Sequence, residues 1–280
     1  MPADLEARVA ALIGVPAQLE GLLADSSFGT LYRVRLADGR AAVAKLYPPA
    51  LRRITGVSEA DQLRFLAERQ VPVPHVFGAE PGLLVMALIA AGSGSVQADL
   101  GAVVAHLHTQ TGQHYGFHDS TAFADFAQDN RALAPWPAYW RERRLLPMLR
   151  ATRGSGHLPK DLDRRLDRLA QRLEDFLPAE PTAALLHGDL WQGNILTRSG
   201  AVAALIDPAL SYGHAEIDLA MLCLFGAPSP AFYDAYGPVD PGFFKERRAL
   251  YQTYPILFHI KAFGAGYLAP LAEALDILRI

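Results

Sequence analysis

The stretch that decides the fold is Leu185-Leu-His187-Gly-Asp189-Leu-Trp191-Gln-Gly-Asn194-Ile-Leu196, in which a polar loop separates two apolar ends. Short apolar runs bounded by turn-forming residues are typical of β-strands. A turn at Thr197–Gly200 then returns the chain through Ala203–Ile206. We therefore predict a hairpin, at one end of which three polar side chains gather: Asp189, Asn194 and Asp207.

Two carboxylates and one amide in this arrangement suit phosphoryl transfer. That reaction needs a metal ion to screen the phosphates and a carboxylate to direct the attacking hydroxyl. Kinase catalytic loops place a base-like Asp a few residues before a metal-binding Asn, and a later strand end supplies a second metal-binding carboxylate. We interpret Asp189 as the catalytic base, and Asn194 and Asp207 as Mg²⁺ ligands. The alternative is that Asp189 and Asn194 only form turns and Asp207 caps a segment, but the joint order and spacing favour the catalytic interpretation.

A second candidate group lies near the N-terminus, where Lys45 follows the apolar residues Ala42–Ala44. A lysine in an apolar strand is costly to bury without a partner. Glu59 opens the next predicted helix and is its expected counter-ion, with Glu68 as a weaker choice. The pair would place the ammonium on the nucleotide's α and β phosphates. The alternative is a surface lysine on an edge strand.

The periodicity of the remaining chain predicts an α+β fold with two lobes, residues 1–90 and 91–280. In the first lobe we expect a short helix, an antiparallel meander, a second helix and a buried strand: Ala3–Ile13, then Leu19–Leu23, Thr30–Leu36 and Ala41–Tyr47, then Ser58–Arg69, then Leu83–Ile89. A flexible joint is expected at Ala90–Ser95. The second lobe should be mostly helical, with helices at Leu100–Leu107, Ala138–Leu149 and Leu162–Leu177.

The composition and net charge of the chain limit the kinds of partner that it is expected to bind. The chain has 280 residues, a formal net charge of -3 and a pI near 6.3, so no broad positive field favours nucleic acid or an anionic membrane. The single Cys223 cannot form an internal disulfide. We found no signal-peptide pattern and no uncharged run approaching the ~20 residues of a membrane span. We therefore expect a cytoplasmic protein.

The run from Ile206 to Gly226, joined to the His-Gly-Asp-Leu-Trp loop, resembles the signature of fructosamine (ketoamine) kinases. Choline and aminoglycoside kinases share the His-Gly-Asp and Asp features but are less similar in the Asp-Pro-Ala, Tyr-Gly-His and Phe-Gly pieces. Further matching pieces occur in the family's order: Gly116–His118, Gln128–Asn130, Trp136-Pro137 and Trp140–Arg143. The resemblance implies a protein-kinase-like fold, ATP and Mg²⁺ as cofactors, and phosphorylation of ketoamines at the hydroxyl on sugar carbon three. In that family the product decomposes and releases the amine.

The resemblance also indicates which residues of the first lobe would bind the nucleotide. Ser26, Ser27 and Gly29 stand where the phosphate loop would be, although one glycine would not identify such a loop by itself; its hydroxyls and amides can still face a phosphate. Met86 would line the adenine pocket, and backbone groups of Ala87 and Leu88 would hold the base. Phe28 or its neighbour replaces a cysteine that cross-links some relatives, so we expect a monomer.

Five further side chains in or near the loop have expected roles. Trp191, two residues after Asp189, could stack on the sugar or the linked amine. His214 and Glu216 could contact substrate or equally stabilise a turn. The kinase resemblance suggests that Asp218 bonds to the backbone of the catalytic loop. His187 is expected to stabilise that loop rather than to carry protons.

Two rival functions remain open at this point. One is a kinase for another small hydroxylated amine, such as an aminoglycoside or a choline-like compound. The other is a non-catalytic kinase fold that serves as a binding module, against which the retention of five polar residues speaks: Lys45, Glu59, Asp189, Asn194 and Asp207. For the preferred function, the substrate would be a small-molecule or protein-bound ketoamine.

Overall fold

The N-terminal part of the chain is built on a five-stranded antiparallel sheet. The computed structural model describes residues 4–49, 51, 56–90, 92 and 96–280. The strands lie in the order β1-β2-β3-β5-β4. Their bounds are β1 Ala17–Ser26, β2 Gly29–Leu36, β3 Ala41–Leu46, β4 Val76–Glu80 and β5 Leu83–Ala87.

One helix covers each face of this sheet. The first, α1 (Leu5–Ile13), packs Leu5 and Val9 against the face that carries Ala42 and Ala44. The second, α2 (Gly56–Glu68), lies on the opposite face, where Val43, Tyr47 and Met86 form a cluster with Ala60 and Leu63. Since side chains alternate along a strand, Lys45 shares the α2 face with Val43 and Tyr47. That alternation decides which helix can supply its counter-ion.

The C-terminal part is mostly helical, with short strands that carry the polar loops. Its helices are α3 Gln97–Thr109, α4 Trp136–Trp140, α5 Leu146–Ser155, α6 Lys160–Gln171, α7 Glu216–Leu222, α8 Pro230–Tyr236, α9 Arg248–Phe263 and α10 Leu268–Ile277. A π-helical turn, Arg141–Leu145, joins α4 to α5. The strands are β6 Thr121–Phe123, β7 Phe126–Gln128, β8 Ala184–Leu186, β9 Ile195–Arg198, β10 Ala201–Leu205 and β11 Ser211–Gly213.

The expected α+β fold with two lobes is confirmed, and so is the hairpin. β9 and β10 pair antiparallel, with Ile195 opposite Leu205 and Arg198 opposite Ala201. The strand before the loop, β8, does not join them; it pairs with β11, so that Leu186 lies opposite Ser211. The polar loop therefore connects two separate two-stranded sheets, which lets its side chains point into the space between them.

The structure differs from the predicted boundaries in two helices and leaves the predicted joint between the lobes mostly outside the described residues. The predicted helices at 138–149 and 162–177 are each divided, the first by the π-helical turn and the second after α6. Most of the expected flexible joint, residues 91 and 93–95, lies outside the described residues, so the boundary between residues 90 and 91 remains a prediction. Within that segment, Gly92 N donates to Thr197 O at 2.7 Å, which ties the connection to the β9–β10 turn.

Neither β4 nor the β6–β7 hairpin is among the elements that the sequence pattern predicts. β4 is an edge strand with a glycine at position 78, and a Cβ there would lie 2.8 Å from Leu12 Cγ of α1. The β6–β7 hairpin has three residues in each strand, too few to show alternation. Both elements are held by tertiary contacts rather than by local pattern.

No helix within the described ranges is long and apolar enough to cross a membrane.

We predict that Gly101→Ala destabilises the C-terminal lobe. Gly101 lies where α3 crosses α8, and a Cβ there would be 2.3 Å from Phe232 O, a backbone atom that cannot move aside cheaply. Overpacking of this kind costs about 1–3 kcal/mol in the free energy of unfolding. Urea unfolding followed by circular dichroism would measure it.

The matched control is Gly154→Ala in α5, where a Cβ would meet nothing within 4 Å. Alanine is the better helix former by up to about 1 kcal/mol, so this variant should be neutral or more stable. Equal losses in the two variants would contradict the close-packing explanation.

Candidate active site

Asp189 and Asn194 are held together by direct hydrogen bonds. The Asn194 amide nitrogen Nδ2 donates to Asp189 O at 2.8 Å and to Asp189 Oδ2 at 3.0 Å. Because Nδ2 is used in this way, the amide oxygen Oδ1 of Asn194 points away from Asp189 and remains an acceptor. Asn194 O in turn accepts from Ile206 N at 3.0 Å, which places the loop beside Asp207.

Lys45 joins the two lobes at this point. Its Nζ lies 2.9 Å from Glu59 Oε2 and 2.6 Å from Asp207 Oδ1. The hydroxyl of Tyr47, the residue directly after β3, donates a hydrogen bond to the same Glu59 oxygen. Glu59 is therefore the counter-ion; Glu68, the weaker choice, has a 75% exposed side chain and contacts Arg69 instead. The surface-lysine alternative is wrong, because the Lys45 side chain is only 9% exposed.

The backbone conformation at two residues, Asp207 and Gly188, determines where the catalytic side chains lie. Asp207 has φ 56°, in the left-handed region that few residues other than glycine adopt, although Asp is among the more tolerant. Gly188 has φ 82°, and a Cβ there would lie 2.1 Å from Ala209 O. The glycine of the His-Gly-Asp sequence is thus required both by its dihedral angle and by the close approach of the chain that follows Asp207.

Asp218, at the start of α7, accepts two backbone hydrogen bonds from the loop. His187 N donates to its Oδ2 at 2.7 Å and Gly188 N donates to its Oδ1 at 2.9 Å. His108 Nε2 lies 3.3 Å from the same carboxylate. His187 is fully buried, and its Nδ1 lies 3.4 Å from Asp189 N. Both side chains brace the loop rather than face the cavity.

The charges of the site perturb one another. Burial, together with the negative charge of Asp207, raises the pKa of Asp189 to about 7, against the opposing hydrogen bond from Asn194. Burial also acts on Asp207, but the Lys45 ammonium outweighs it and holds the pKa of Asp207 below its ordinary value. For Lys45 burial alone would lower the pKa, yet the negative charges of Glu59 and Asp207 keep it well above the usual range. Burial raises the pKa of Glu59 to about 7 as well, but Glu59 is held by Lys45 and Tyr47. Asp189 is therefore suited to exchange a proton near neutral pH.

These groups line one cavity of about 420 Å³ between the lobes. The five predicted polar residues Lys45, Glu59, Asp189, Asn194 and Asp207 all reach it, as does Trp191. A cavity of this size accommodates part of a nucleotide or a sugar derivative rather than a macromolecule.

The predicted phosphate loop is the turn between β1 and β2. Ser26 Oγ donates to Gly29 O at 3.1 Å and accepts from Phe28 N at 3.2 Å, so this hydroxyl closes its own turn. Gly29 lies over the lysine, since a Cβ there would be 3.7 Å from Lys45 Cε and 3.1 Å from Leu46 O. The turn is thus positioned above Lys45, and a phosphate role for Ser26, Ser27 and Gly29 remains a prediction.

The predicted adenine contacts are not part of this cavity. Met86 is 4% exposed and packs in the cluster under α2. Ala87 N donates to His75 O at 2.8 Å and Leu88 N donates to Ala41 O at 3.1 Å. These two N–H groups are therefore already used, which narrows the predicted base recognition at Ala87 and Leu88 to carbonyl oxygens.

The predicted substrate residues separate into two groups. Trp191 lies in the cavity with a 36% exposed side chain. His214 and Glu216 are not among the described residues that line it: His214 Nδ1 bonds to Tyr251 OH at 2.8 Å, and Glu216 forms an ion pair with Arg247 at 2.6 Å. Their contacts agree with the turn-stabilising alternative rather than with substrate binding.

Several cavity residues were not predicted. Tyr47 and Gln62 come from the first lobe, and Gln62 Oε1 also accepts from Leu210 N at 2.8 Å across the lobes. Tyr47 could have been found, because it follows Lys45 at the period-two spacing of a strand face. The aromatic wall was not predicted, because its members come from four separate segments of the chain: Phe28, Phe123, Phe225, and the group Phe258, His259, Phe263 and Tyr267.

A sequence profile described as "Fructosamine kinase" matches residues 52–279. The chain belongs to the fructosamine kinase family. A probable ketoamine kinase from Enterococcus faecium is 32% identical over 252 residues, covering 88% of this chain and 90% of the relative. Among solved structures, a putative fructosamine-3-kinase from Thermobifida fusca has a TM-score of 0.89 at 32% identity, covering 99% of both chains. The predicted family and fold are thereby confirmed.

This fructosamine kinase family member is also similar to a plant relative and shares its fold with a more distant solved structure. A chloroplastic protein-ribulosamine 3-kinase from Arabidopsis thaliana is 32% identical over 218 residues, covering 74% of this chain and 66% of the relative. The ADP-bound aminoglycoside phosphotransferase APH(2'')-Ib has a TM-score of 0.65, covering 99% of this chain and 98% of that one. Its identity is 14%, so it shows the shared fold alone.

We predict that Asp218→Asn slows catalysis and lowers stability, although Asp218 does not line the cavity. The amide can accept only one of the two loop hydrogen bonds, and the N–H left without an acceptor costs about 1–3 kcal/mol in the free energy of unfolding. A loop that is no longer braced should lower kcat roughly 10–100-fold. Steady-state kinetics and thermal unfolding would measure both effects.

Asp119→Asn provides the matched control, because the Asp119 side chain is 78% exposed. This variant should leave both kcat and the free energy of unfolding unchanged. Normal kcat in the Asp218→Asn variant would show that the loop holds its geometry without this carboxylate.

Proposed function

We propose that this protein is a Mg-ATP-dependent kinase that phosphorylates the hydroxyl on sugar carbon three of ketoamines, both fructosamines and ribulosamines. The observation that carries the proposal is the convergence of Lys45 and Asp207 at 2.6 Å beside the Asp189–Asn194 pair, inside one cavity. Membership of the fructosamine kinase family supports the substrate class. The names of the relatives, ketoamine kinase and protein-ribulosamine 3-kinase, point the same way.

The donor set fits a magnesium ion that is carried by a nucleotide. Asn194 Oδ1 and the Asp207 carboxylate are oxygen ligands of the kind Mg²⁺ prefers, and Mg²⁺ is commonly bound through one or two protein oxygens plus substrate phosphates. Among the described residues no group of three His, Cys, Asp or Glu side chains could hold a metal. A shared ion of this kind would screen the phosphate charges.

The protein side chains divide the remaining work. Lys45, fixed by Glu59 and Asp207, presents a permanent positive charge to the phosphates under the β1–β2 turn. Asp189 accepts the proton of the sugar hydroxyl, whose oxygen forms a bond to the γ-phosphorus as the bond to the ADP oxygen breaks. Because the pKa of Asp189 is raised to about 7, its carboxylate is a stronger base than an exposed aspartate.

Some aspects of the proposal rest on sequence expectations. We propose that the protein acts as a cytoplasmic monomer without nucleic acid, on small or protein-bound ketoamines. The net charge of -3 supports the exclusion of nucleic acid.

A substrate panel tests the proposed function directly. Purified protein would be incubated with Mg-ATP and ribuloselysine, fructoselysine, an aminoglycoside or choline, with ADP release measured by a coupled assay and the product by mass spectrometry. We expect phosphorylation of the two ketoamines only. Preferential phosphorylation of the aminoglycoside or choline would replace the proposal with the rival small-amine kinase, and no turnover of any compound would favour a binding module.

We predict that Asp189→Asn abolishes phosphorylation while the fold is retained. Loss of a general base lowers rates roughly 10²–10⁴-fold. Since burial and Asp207 disfavour the ionised form of Asp189, the neutral amide should leave stability unchanged or raise it at pH values above 7. Turnover and melting temperature would be measured on the same preparation.

Turnover by Asp189→Asn within tenfold of the wild type would mean that another group takes the proton. A large drop in melting temperature would make the lost activity a folding effect. Asp189→Glu, which keeps the carboxylate but displaces it, should recover little activity.

We predict that Asp207→Asn mainly raises the Mg²⁺ concentration needed for half-maximal activity. The change removes a charged metal ligand and the second partner of Lys45, for which a loss of roughly 10–100-fold is expected. Titration of activity with MgCl₂ at fixed ATP would measure it. Asp276→Asn, at a side chain 71% exposed on α10, is the control, and an unaltered Mg²⁺ requirement in Asp207→Asn would count against its role as a ligand.

A further inference from the structure

The cavity is lined by two chemically different sets of residues. One is the charged group around Asp189, and the other is a set of aromatic rings that the phosphoryl transfer does not use. Three of these rings remain open to solvent: Trp191 at 36%, Phe225 at 46% and Phe263 at 55% exposure. Large exposed apolar side chains that cluster beside a catalytic group are typical of a ligand site rather than of ordinary surface.

The rings form a continuous arc, which we define as Trp191, Phe225, His259, Phe263 and Tyr267. Ring centroids lie 5.5 Å apart between Trp191 and Phe225, and 5.5 Å apart between Phe225 and His259. His259 lies 4.6 Å from Tyr267 and 5.6 Å from Phe263. His259 is thus the centre of the arc and touches three of its four other members.

The tautomer of His259 is decided by its own helix. Nδ1 lies 2.6 Å from Pro255 O, and a carbonyl can only accept, so Nδ1 carries a proton. Burial lowers the pKa of His259, and the ring is therefore neutral near pH 7. In a neutral ring with a proton on Nδ1, the other nitrogen, Nε2, has an available lone pair.

That lone pair has no protein donor. No hydrogen bond reaches His259 Nε2 from any residue in the described part of the chain, and Nε2 is not among the sealed buried atoms there. Half-buried His259 lines the cavity. An acceptor without a partner, framed by aromatic faces, is suited to a ligand that donates a hydrogen bond and carries positive charge.

The charges around the cavity agree with a cation. Of the described side chains that line it, Lys45 is the only one with a permanent positive charge, and Glu59 and Asp207 compensate that charge. The arc itself contains neutral rings only. A protonated amine would therefore meet acceptors and ring faces without a repelling cation.

Building on the proposed function, we propose that the aromatic arc is the subsite for the amine part of the ketoamine, and that His259 Nε2 accepts a hydrogen bond from its protonated secondary amine. The sugar hydroxyl then lies toward Asp189 and the alkyl group on nitrogen runs along the exposed rings toward solvent. The subsite selects substrates by their ammonium group and accepts variable groups beyond it. His259 is thus a specificity residue that contacts the substrate away from the reacting atoms.

The test compares a cationic substrate with a neutral one of the same shape. N-butyl ribulosamine carries the secondary ammonium, and 1-O-butyl ribulose replaces it with an ether oxygen. For the wild type we expect kcat/KM to favour the amine roughly 10–100-fold, the range for a hydrogen bond to a charged group. His259→Phe keeps an aromatic ring but removes the acceptor, so this ratio should fall by a similar factor.

Two conservative variants separate the hydrogen bond from packing. Gln can place an amide oxygen near the position of Nε2, so His259→Gln should restore much of the ratio. Asn reaches only the position of Nδ1, so His259→Asn should behave like His259→Phe. Phe225→Leu keeps an apolar side chain but loses the ring face, and should lower the ratio roughly 2–10-fold. His114→Phe, at an exposed loop histidine, should leave the ratio unchanged.

The possible outcomes are distinct. A ratio that falls in His259→Phe and His259→Asn and recovers in His259→Gln supports the subsite. If the wild type phosphorylates amine and ether equally well, or if His259→Phe slows both to the same extent, the subsite is overturned while the proposed ketoamine kinase function stands. If the wild type phosphorylates neither compound, nor any ketoamine of the substrate panel, the proposed function and this inference fall together.

Discussion

The structure depends on the contact between Lys45 and Asp207, which joins one charged group from each lobe at 2.6 Å. The Lys45 side chain is only 9% exposed and would not be stable there alone, because an unpaired buried charge costs several kcal/mol. Asp207 is 42% exposed and supplies one of the negative charges that Lys45 needs. Glu59 supplies the second negative charge that Lys45 needs, and Tyr47 donates to Glu59. The Lys45 ammonium is thus held by two carboxylates in the cleft between the lobes. It would need no reorientation when a nucleotide binds.

Around this contact, the catalytic loop is held by backbone constraints rather than by its own secondary structure. Gly188 allows the close approach of the chain to Ala209 O, since a Cβ there would lie 2.1 Å from that atom, and Asp218 accepts the two N–H groups before Asp189. Preorganised groups lower a barrier because they need not be reoriented during reaction. The raised pKa of Asp189 has a different cause, burial together with the charge of Asp207, so the rigidity and the basicity of the site arise separately.

The aromatic arc is assembled from several segments of the chain by tertiary contacts. Its rings are contributed by the catalytic loop, the segment after α7, α9 and the residues beyond it, which are far apart in the chain and adjacent in space. Phe28 at the β1–β2 turn packs 5.9 Å from Phe258, so the first lobe also reaches this wall. In the proposed function, the polar residues would serve the phosphate and the aromatic rings the amine, so that one cavity would combine two chemistries.

Sequence alone determined those features that are local: the hairpin carrying Asn194 and Asp207, the strand that holds Lys45, and the family signature from Ile206 to Gly226. These can be read because spacing along a strand or turn fixes where neighbouring side chains point. The sequence could not show that β8 pairs with β11, that the N–H groups of Ala87 and Leu88 are already used, or that His214 and Glu216 bond to Tyr251 and Arg247 instead of lining the cavity. Only the tertiary structure decided these, because each depends on a contact between segments distant in the chain, and no local periodicity records which of them will meet.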